Sequence, residues 1–360
     1  MKIKENNFDC LRLLAAFLVL FSHQFNLMGL PEPISIGGFQ GLGGLGVAIF
    51  FSISGYLVCQ SWERDPSFIR FSAKRLLRIL PGLCVVTVLC ACVLGPALTT
   101  LPEREYFASA KFWNFFHTIK LVAVSYELPG LFQTNHIQAV NGSLWTLPIE
   151  ARCYLLLALV GLLGILRRRW LFLMLVVAFA VYIFILKDAQ HAVNRKYNYE
   201  YGTFFFVGAG LYLFRARWAA KATSVLIGVA ILAAVLAACG MGYVGMLITV
   251  PPFAIALGTA SFPYIRRAGR FGDISYGLYI YAFPVQQTLI WSARHSLGVW
   301  PMLALSTVCT TLCGFASWHF VERPALALKP RQRRKSADGL VGDCIGGSET
   351  GGGRMETSLS

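Results

Sequence analysis

The chain has 360 residues, of which 56% are apolar or aromatic and only 14% charged, with a mean hydropathy of +0.60. Soluble domains carry about 25% charged residues, so this composition excludes an ordinary cytosolic enzyme, a disordered chain and a small disulfide scaffold, and leaves a polytopic membrane protein. The net charge of +15 does not point to nucleic acid, because the basic residues stand in short clusters between apolar runs, the placement that positive-inside topology produces.

Lys2 and Lys4 precede the first apolar run as in a signal peptide, but no clean small-residue cleavage site follows, and an uncleaved first helix is expected. A spanning helix takes about 20 mainly apolar residues. Ten such segments follow, near 9–28, 42–61, 79–99, 144–166, 170–187, 201–215, 221–239, 243–263, 274–293 and 301–321. The stretch 105–128, with Trp113, Phe115 and Phe116, reads as interfacial helix within the longest outside loop, 101–143. With the N-terminus in the cytoplasm, 23 of the 32 Lys and Arg fall on the cytoplasmic side and seven outside. The expected fold is therefore an all-α, polytopic integral membrane helical bundle of about ten transmembrane helices with both termini cytoplasmic. Residues 1–335 make one transmembrane domain, and the Gly- and Ser-rich 336–360 a disordered cytoplasmic tail.

Most of the ten cysteines lie inside apolar runs without a CxxC pair, and read as small hydrophobes. Gly41, Gly43 and Gly46 spell GxGxxG, but the motif opens a span instead of following a strand, so close helix packing explains it. His117, His136, His191 and His295 show no metal-ligand spacing, and no metal site is expected.

Ionisable residues inside a span are costly and are functional candidates by default. The first span carries Arg12 and His23, with Asp9 at its cytoplasmic mouth, and the fourth carries Glu150 and Arg152. Arg12 and His23 are eleven residues apart, which on an α-helix is close to three full turns and about 16.5 Å of rise. One helix face therefore presents a cation near the cytoplasm and an imidazole deep in the bilayer. The competing reading is a structural histidine with a snorkelling arginine. Counted from Asp9, His23 lies about 21 Å up a core about 30 Å thick, and Glu150, counted from Ser143, about 10 Å down. The two thus fall at similar depth, and a carboxylate beside an imidazole fixes its tautomer and raises its basicity. Arg152 is a poorer partner for Glu150, because residues two apart on a helix do not face each other. Arg75 and Arg78, three apart at the start of the third span and preceded by Lys74, suit the phosphates of a cytosolic donor. The alternative for them is a purely topogenic cluster.

The first span, FDCLRLLAAFLVLFSH, resembles the opening helix of the bacterial acyltransferase-3 membrane proteins, in which Arg or Lys is followed by ten residues and then His. The resemblance continues through FFSISGYLV (50–58), AKRLLRILP with Arg75 and Arg78, SLWTLPIEARCYLL (143–156) with Glu150, GDISYGLYIYAFPV (272–285) and HFVERP (319–324). It implies transfer of an acyl group, most often acetyl, from cytosolic acyl-CoA to a hydroxyl of an O-antigen, exopolysaccharide or other surface or secreted glycan. It implies His23 as the catalytic residue, Arg12 as its companion, Arg75 and Arg78 as donor-binding residues and Glu150 as a second active-site group. It also implies a glycan or lipid-linked glycan acceptor, no metal, and the bacterial inner membrane as location. Many relatives carry Trp-His where this chain has Tyr281-Ala282. The alternative is a proton-coupled transporter or flippase for a polar or lipid-linked small molecule, for which buried His, Glu and Arg are equally suited.

Overall fold

The computed structural model describes residues 6–34, 41–183, 197–260, 272–293 and 296–330. The tail 336–360 and the loop histidines His191 and His295 lie outside the described residues. No strand occurs among the described residues, and their longer helices overlap the apolar segments. They are α1 (Phe8–Leu27), α2 (Gly41–Arg64), α3 (Phe68–Leu98), α4 (Gly142–Leu162), α5 (Arg169–Val181), α6 (Tyr197–Leu213), α7 (Arg215–Ala238), α8 (Gly242–Thr259), α9 (Ser275–Ala293) and α10 (Val299–Ala327). Seven of them, α1 to α4, α7, α8 and α10, are long and apolar enough to cross a membrane by length and composition. Helix α5 is shorter, at 13 residues, and α6 has 17.

Helix α1 packs on α2, α8, α9 and α10, while α4 packs on α2, α3 and α6 and reaches α9 through its first turn. The small residues of α1 to α2 are what permit this. A Cβ at Gly46 falls 2.6 Å from the Ala15 carbonyl oxygen, and one at Gly43 falls 2.8 Å from the Ser22 hydroxyl, so the glycine spacing serves helix contact as expected. The α2–α6 crossing is tighter still. Cβ atoms at Gly55 and Gly208 collide with the carbonyls of Phe205 and Ser52. Gly55→Leu is therefore expected to cost more than about 3 kcal/mol or to abolish recovery of folded protein, because backbone cannot yield as a side chain can. Gly228→Leu, in open space on α7, is the matched control, and equal thermal melts for the two variants contradict this account.

Short helices Glu103–Ala108 and Ala110–Phe115 form in the long loop, and the buried Tyr106 hydroxyl donates to the Ala91 carbonyl (2.7 Å). The remainder of that loop closes over one end of the bundle. Gln287 of α9 donates to the carbonyls of Ile137 and Ala139 (both 2.6 Å) and accepts from Asn135 (2.8 Å). Ile137 and Ala139 pack on the cluster of Leu27, Phe283, Ile290 and Met302.

At the other end, the turn between α2 and α3 is tied by Asp65, which accepts three hydrogen bonds from Arg70 (3.0, 3.1 and 2.6 Å) and one from Lys74 (2.7 Å). These bonds, Arg70's first and Lys74's second, hold its carboxyl at about 2. A carboxyl whose folded value is depressed contributes stability above its unfolded value, near 4, and loses it as the pH falls through about 2. The difference in melting temperature between wild type and Asp65→Asn is therefore expected to be full at pH 6 and to close between about pH 4 and pH 2. A difference independent of pH refutes the ion-pair assignment.

Candidate active site

Among the described residues, the site candidates read from the sequence fall into three polar groups. The first is at the end that carries the arginines, called here the basic end. Asp273, two residues before α9, accepts from Arg12 of α1 (2.8 Å) and Arg78 of α3 (2.7 Å) on one oxygen and from Ser275 (2.5 Å) on the other. Arg12 also pairs with Asp9 (3.1 Å). Asp273 is 14% exposed, and Arg12 and Arg78 are 20% and 23% exposed. Burial by itself raises the Asp273 carboxyl, but Arg78 and then Arg12 outweigh it and hold the carboxyl well below the usual range, so it stays ionised. Sequence reading missed Asp273, although an acid opening a span at the same end as Arg12 and Arg78 was a usable signal. It also missed Glu322, buried on α10, where it accepts from Ser317 (2.8 Å) and keeps one oxygen without a partner.

The second group is built on α4. Glu150 accepts hydrogen bonds from Ser54 of α2 (3.1 Å) and from Tyr154, one turn along its own helix. The Arg75 guanidinium lies 5.8 Å from the Tyr154 ring centroid and 5.8 Å from that of Phe71. Among the described residues its hydrogen bond is a long one, to Ser61 (3.4 Å), and its buried Nε has no partner there. The basic trio of the third helix is thus divided. Lys74 is taken by Asp65 and Arg78 by Asp273, whereas Arg75 has no carboxylate ion pair among the described residues.

The third group surrounds His23. The ring is partly exposed and meets Phe283 edge-on, with centroids 5.2 Å apart, and no described residue hydrogen-bonds to it. Next to it, the buried Gln24 carboxamide oxygen accepts from Gln286 (3.0 Å) and Ser306 (2.9 Å). Ala282 is buried beside Leu20 and Leu303.

The structure corrects the expected pairing of His23 with Glu150. His23 lies four residues from the end of α1 at Leu27, about 6 Å in. Glu150 lies eight residues from the start of α4 at Gly142, about 12–14 Å in. Neighbours agree with this. Ser22 abuts Gly43 of α2, while Glu150 bonds to Ser54, eleven residues or about 16 Å further along that helix. Phe283 of α9, which touches His23, also abuts Gly142 at the first turn of α4. Glu150 thus sits nearer the basic end than His23 and is engaged by Ser54 and Tyr154. Arg152 points away and donates to the Val122 carbonyl (2.9 Å).

A family model described as an acyltransferase domain, the acyltransferase-3 type, matches residues 5–319, nearly the whole helical bundle. The chain belongs to this family. It is 35% identical over 336 residues to a protein named O-acetyl transferase from Shigella phage Sf6, covering 89% of this chain and 96% of that relative. It is 31% identical over 357 residues to nodulation protein 10 of Rhizobium leguminosarum bv. viciae, covering 90% and 94%. No solved structure matches. Family and acetyltransferase relative together support a multi-pass membrane O-acyltransferase, so the polar groups of this acyltransferase-3 protein are to be read as parts of a group-transfer site.

Proposed function

We propose that the protein transfers an acetyl group from cytosolic acetyl-CoA to a hydroxyl of a surface or secreted glycan at the bacterial inner membrane, with His23 as general base. One observation carries this reading. Beside the Gln24 carboxamide oxygen, which accepts from Gln286 and Ser306, the His23 imidazole stands partly open on an apolar helix, and no described residue hydrogen-bonds to either of its nitrogens. A buried structural histidine ordinarily has a hydrogen-bond partner.

The arginines offer a phosphate site at the basic end, taken here as the cytoplasmic one. Arg75 supports it best, because its guanidinium is not paired with a carboxylate and has a donor to spare. Arg12 and Arg78, bound to Asp273, give that end its geometry. The rise of about 16.5 Å from Arg12 to His23 is comparable with the reach of a CoA thiol arm. In the transfer step an acceptor hydroxyl gives its proton to an imidazole nitrogen while its oxygen bonds to the thioester carbonyl carbon. The carbon–sulfur bond then breaks, and the departing thiolate takes the proton back from the imidazolium. Such general-base assistance is worth typically 10²–10⁴-fold. Glu150, set away from His23, acts in this scheme as a positioning residue that holds Tyr154 against Arg75.

The test is covalent transfer. Purified protein with radiolabelled acetyl-CoA and a glycan acceptor is expected to place label on the glycan. Movement of acceptor across a vesicle without label incorporation identifies a transporter instead. Within the enzyme, Arg75→Ala is expected to raise the apparent donor KM by about tenfold to a hundredfold, the value of one or two charge-assisted hydrogen bonds, without loss of melting temperature. Arg78→Ala is expected to lower the melting temperature first, because it strips Asp273 of a partner. Identical behaviour of the two variants removes the division of roles.

A further inference from the structure

Outside this site, the α4–α5 turn and the α6–α7 turn enclose a pocket of about 340 Å³ lined by Arg167, Arg168, Arg169, Trp170, Phe214 and Arg217, together with Leu171. Four guanidiniums converge on it, and no acidic side chain lines it. Several other cations at this end are matched, Arg70 and Lys74 by Asp65, Arg12 and Arg78 by Asp273, and Arg215 by Glu63, while Arg75 belongs to the site described above. Among the described residues, the four pocket arginines have no such counter-charge. The site is nonetheless built. Arg217 lies over the rings of Trp170 (4.8 Å to the centroid) and Phe214 (5.5 Å), which themselves meet edge-on at 5.0 Å. This stacking fixes one guanidinium plane and leaves its N–H groups for a ligand.

The surroundings define the ligand further. Leu162, Leu163, Met174 and Leu175, on the adjoining turns of α4 and α5, are exposed, Leu163 by 75%. In a membrane-spanning bundle such side chains face acyl chains, and Trp170 beside them has the amphipathic character of an interfacial anchor. The pocket therefore has a phosphate-binding floor and an apolar flank. We propose that it is a binding site for the phosphate headgroup of an anionic phospholipid, whose acyl chains lie along the exposed faces of α4 and α5. Arg–phosphate recognition by bidentate hydrogen bonds supplies the affinity, and the lipid supplies the negative charge that the protein withholds. The site stands apart from the His23 chemistry and does not depend on the acyl-transfer reading.

The test uses the full chain in detergent, with lipid retention counted by native mass spectrometry. Wild type is expected to retain palmitoyl-oleoyl-phosphatidylglycerol at least tenfold more tightly than palmitoyl-oleoyl-phosphatidylcholine. The variant Arg167→Gln, Arg168→Gln, Arg217→Gln is expected to lose most of that preference. The distal Arg323→Gln keeps it, which separates this pocket from general positive charge. Millimolar inorganic phosphate is expected not to displace the phosphatidylglycerol, because it cannot use the apolar flank. Full displacement by phosphate assigns the pocket to a soluble anion and overturns the lipid. Equal retention of the two lipids by wild type overturns the proposal without recourse to any variant, as does an equal loss in the triple and distal variants.

Discussion

His23→Ala is expected to reduce acyl transfer by at least 10²–10⁴-fold while the protein inserts and melts as wild type does. The rate loss follows from removing the general base. The preserved fold follows from the structure: no described residue hydrogen-bonds to the imidazole, so its removal leaves none of their buried donors or acceptors unsatisfied. What is lost is one edge-on contact with Phe283. The contrast with Gln24, one residue on, sharpens the test. Gln24→Ala removes the acceptor for Gln286 and Ser306 and is expected to cost stability that His23→Ala does not. An active His23→Ala enzyme refutes the proposed chemistry, and a variant that unfolds shows that the ring is structural.

Asp273→Ala carries the second large effect. Its carboxylate separates two guanidiniums that come from helices 66 residues apart in sequence, and without it they face each other with one shared counter-charge gone. Removing one member of a buried pair costs about 3–5 kcal/mol. With Asp273 14% exposed, the lower end, about 3 kcal/mol, is expected. Asp9→Ala breaks a pair whose carboxylate is 31% exposed and is expected to cost less than about 1 kcal/mol. Thermal melts of the two variants side by side decide the matter, and a difference within error removes Asp273 from the centre of the basic end. The same variant is expected to loosen donor binding, since Arg12 and Arg78 lose their fixed positions.

The helices were legible because apolar length is a local property. The segment 42–61 became Gly41–Arg64, and 274–293 became Ser275–Ala293. The third helix begins at Phe68 instead of near 79, because its first turns carry Arg70, Lys74, Arg75 and Arg78 and fall outside any hydropathy window. Long-range pairing was not legible. Arg12 and Asp273 are 261 positions apart, and nothing in either neighbourhood names the other. Tyr154 was within reach, four residues from Glu150 and hence on the same helix face. The matched depth of His23 and Glu150 failed for a specific reason. It measured one residue from the basic end and the other from the opposite end, through an assumed membrane thickness. The end of α1 at Leu27 shows that His23 is only one turn from its exit.

Helix α9 gives these parts a mechanical relation. Asp273 precedes its first turn, Tyr276 is tied to the Ile79 carbonyl, Phe283 leans on the imidazole, and Gln287 grips the covering loop. From Asp273 to Gln287 is fourteen residues, or about 21 Å of nearly continuous helix. The arginine clamp and the lid over the histidine are therefore fastened to opposite ends of one strut. In the proposed scheme, the groups that meet donor and acceptor are thus held at a fixed spacing by a single element.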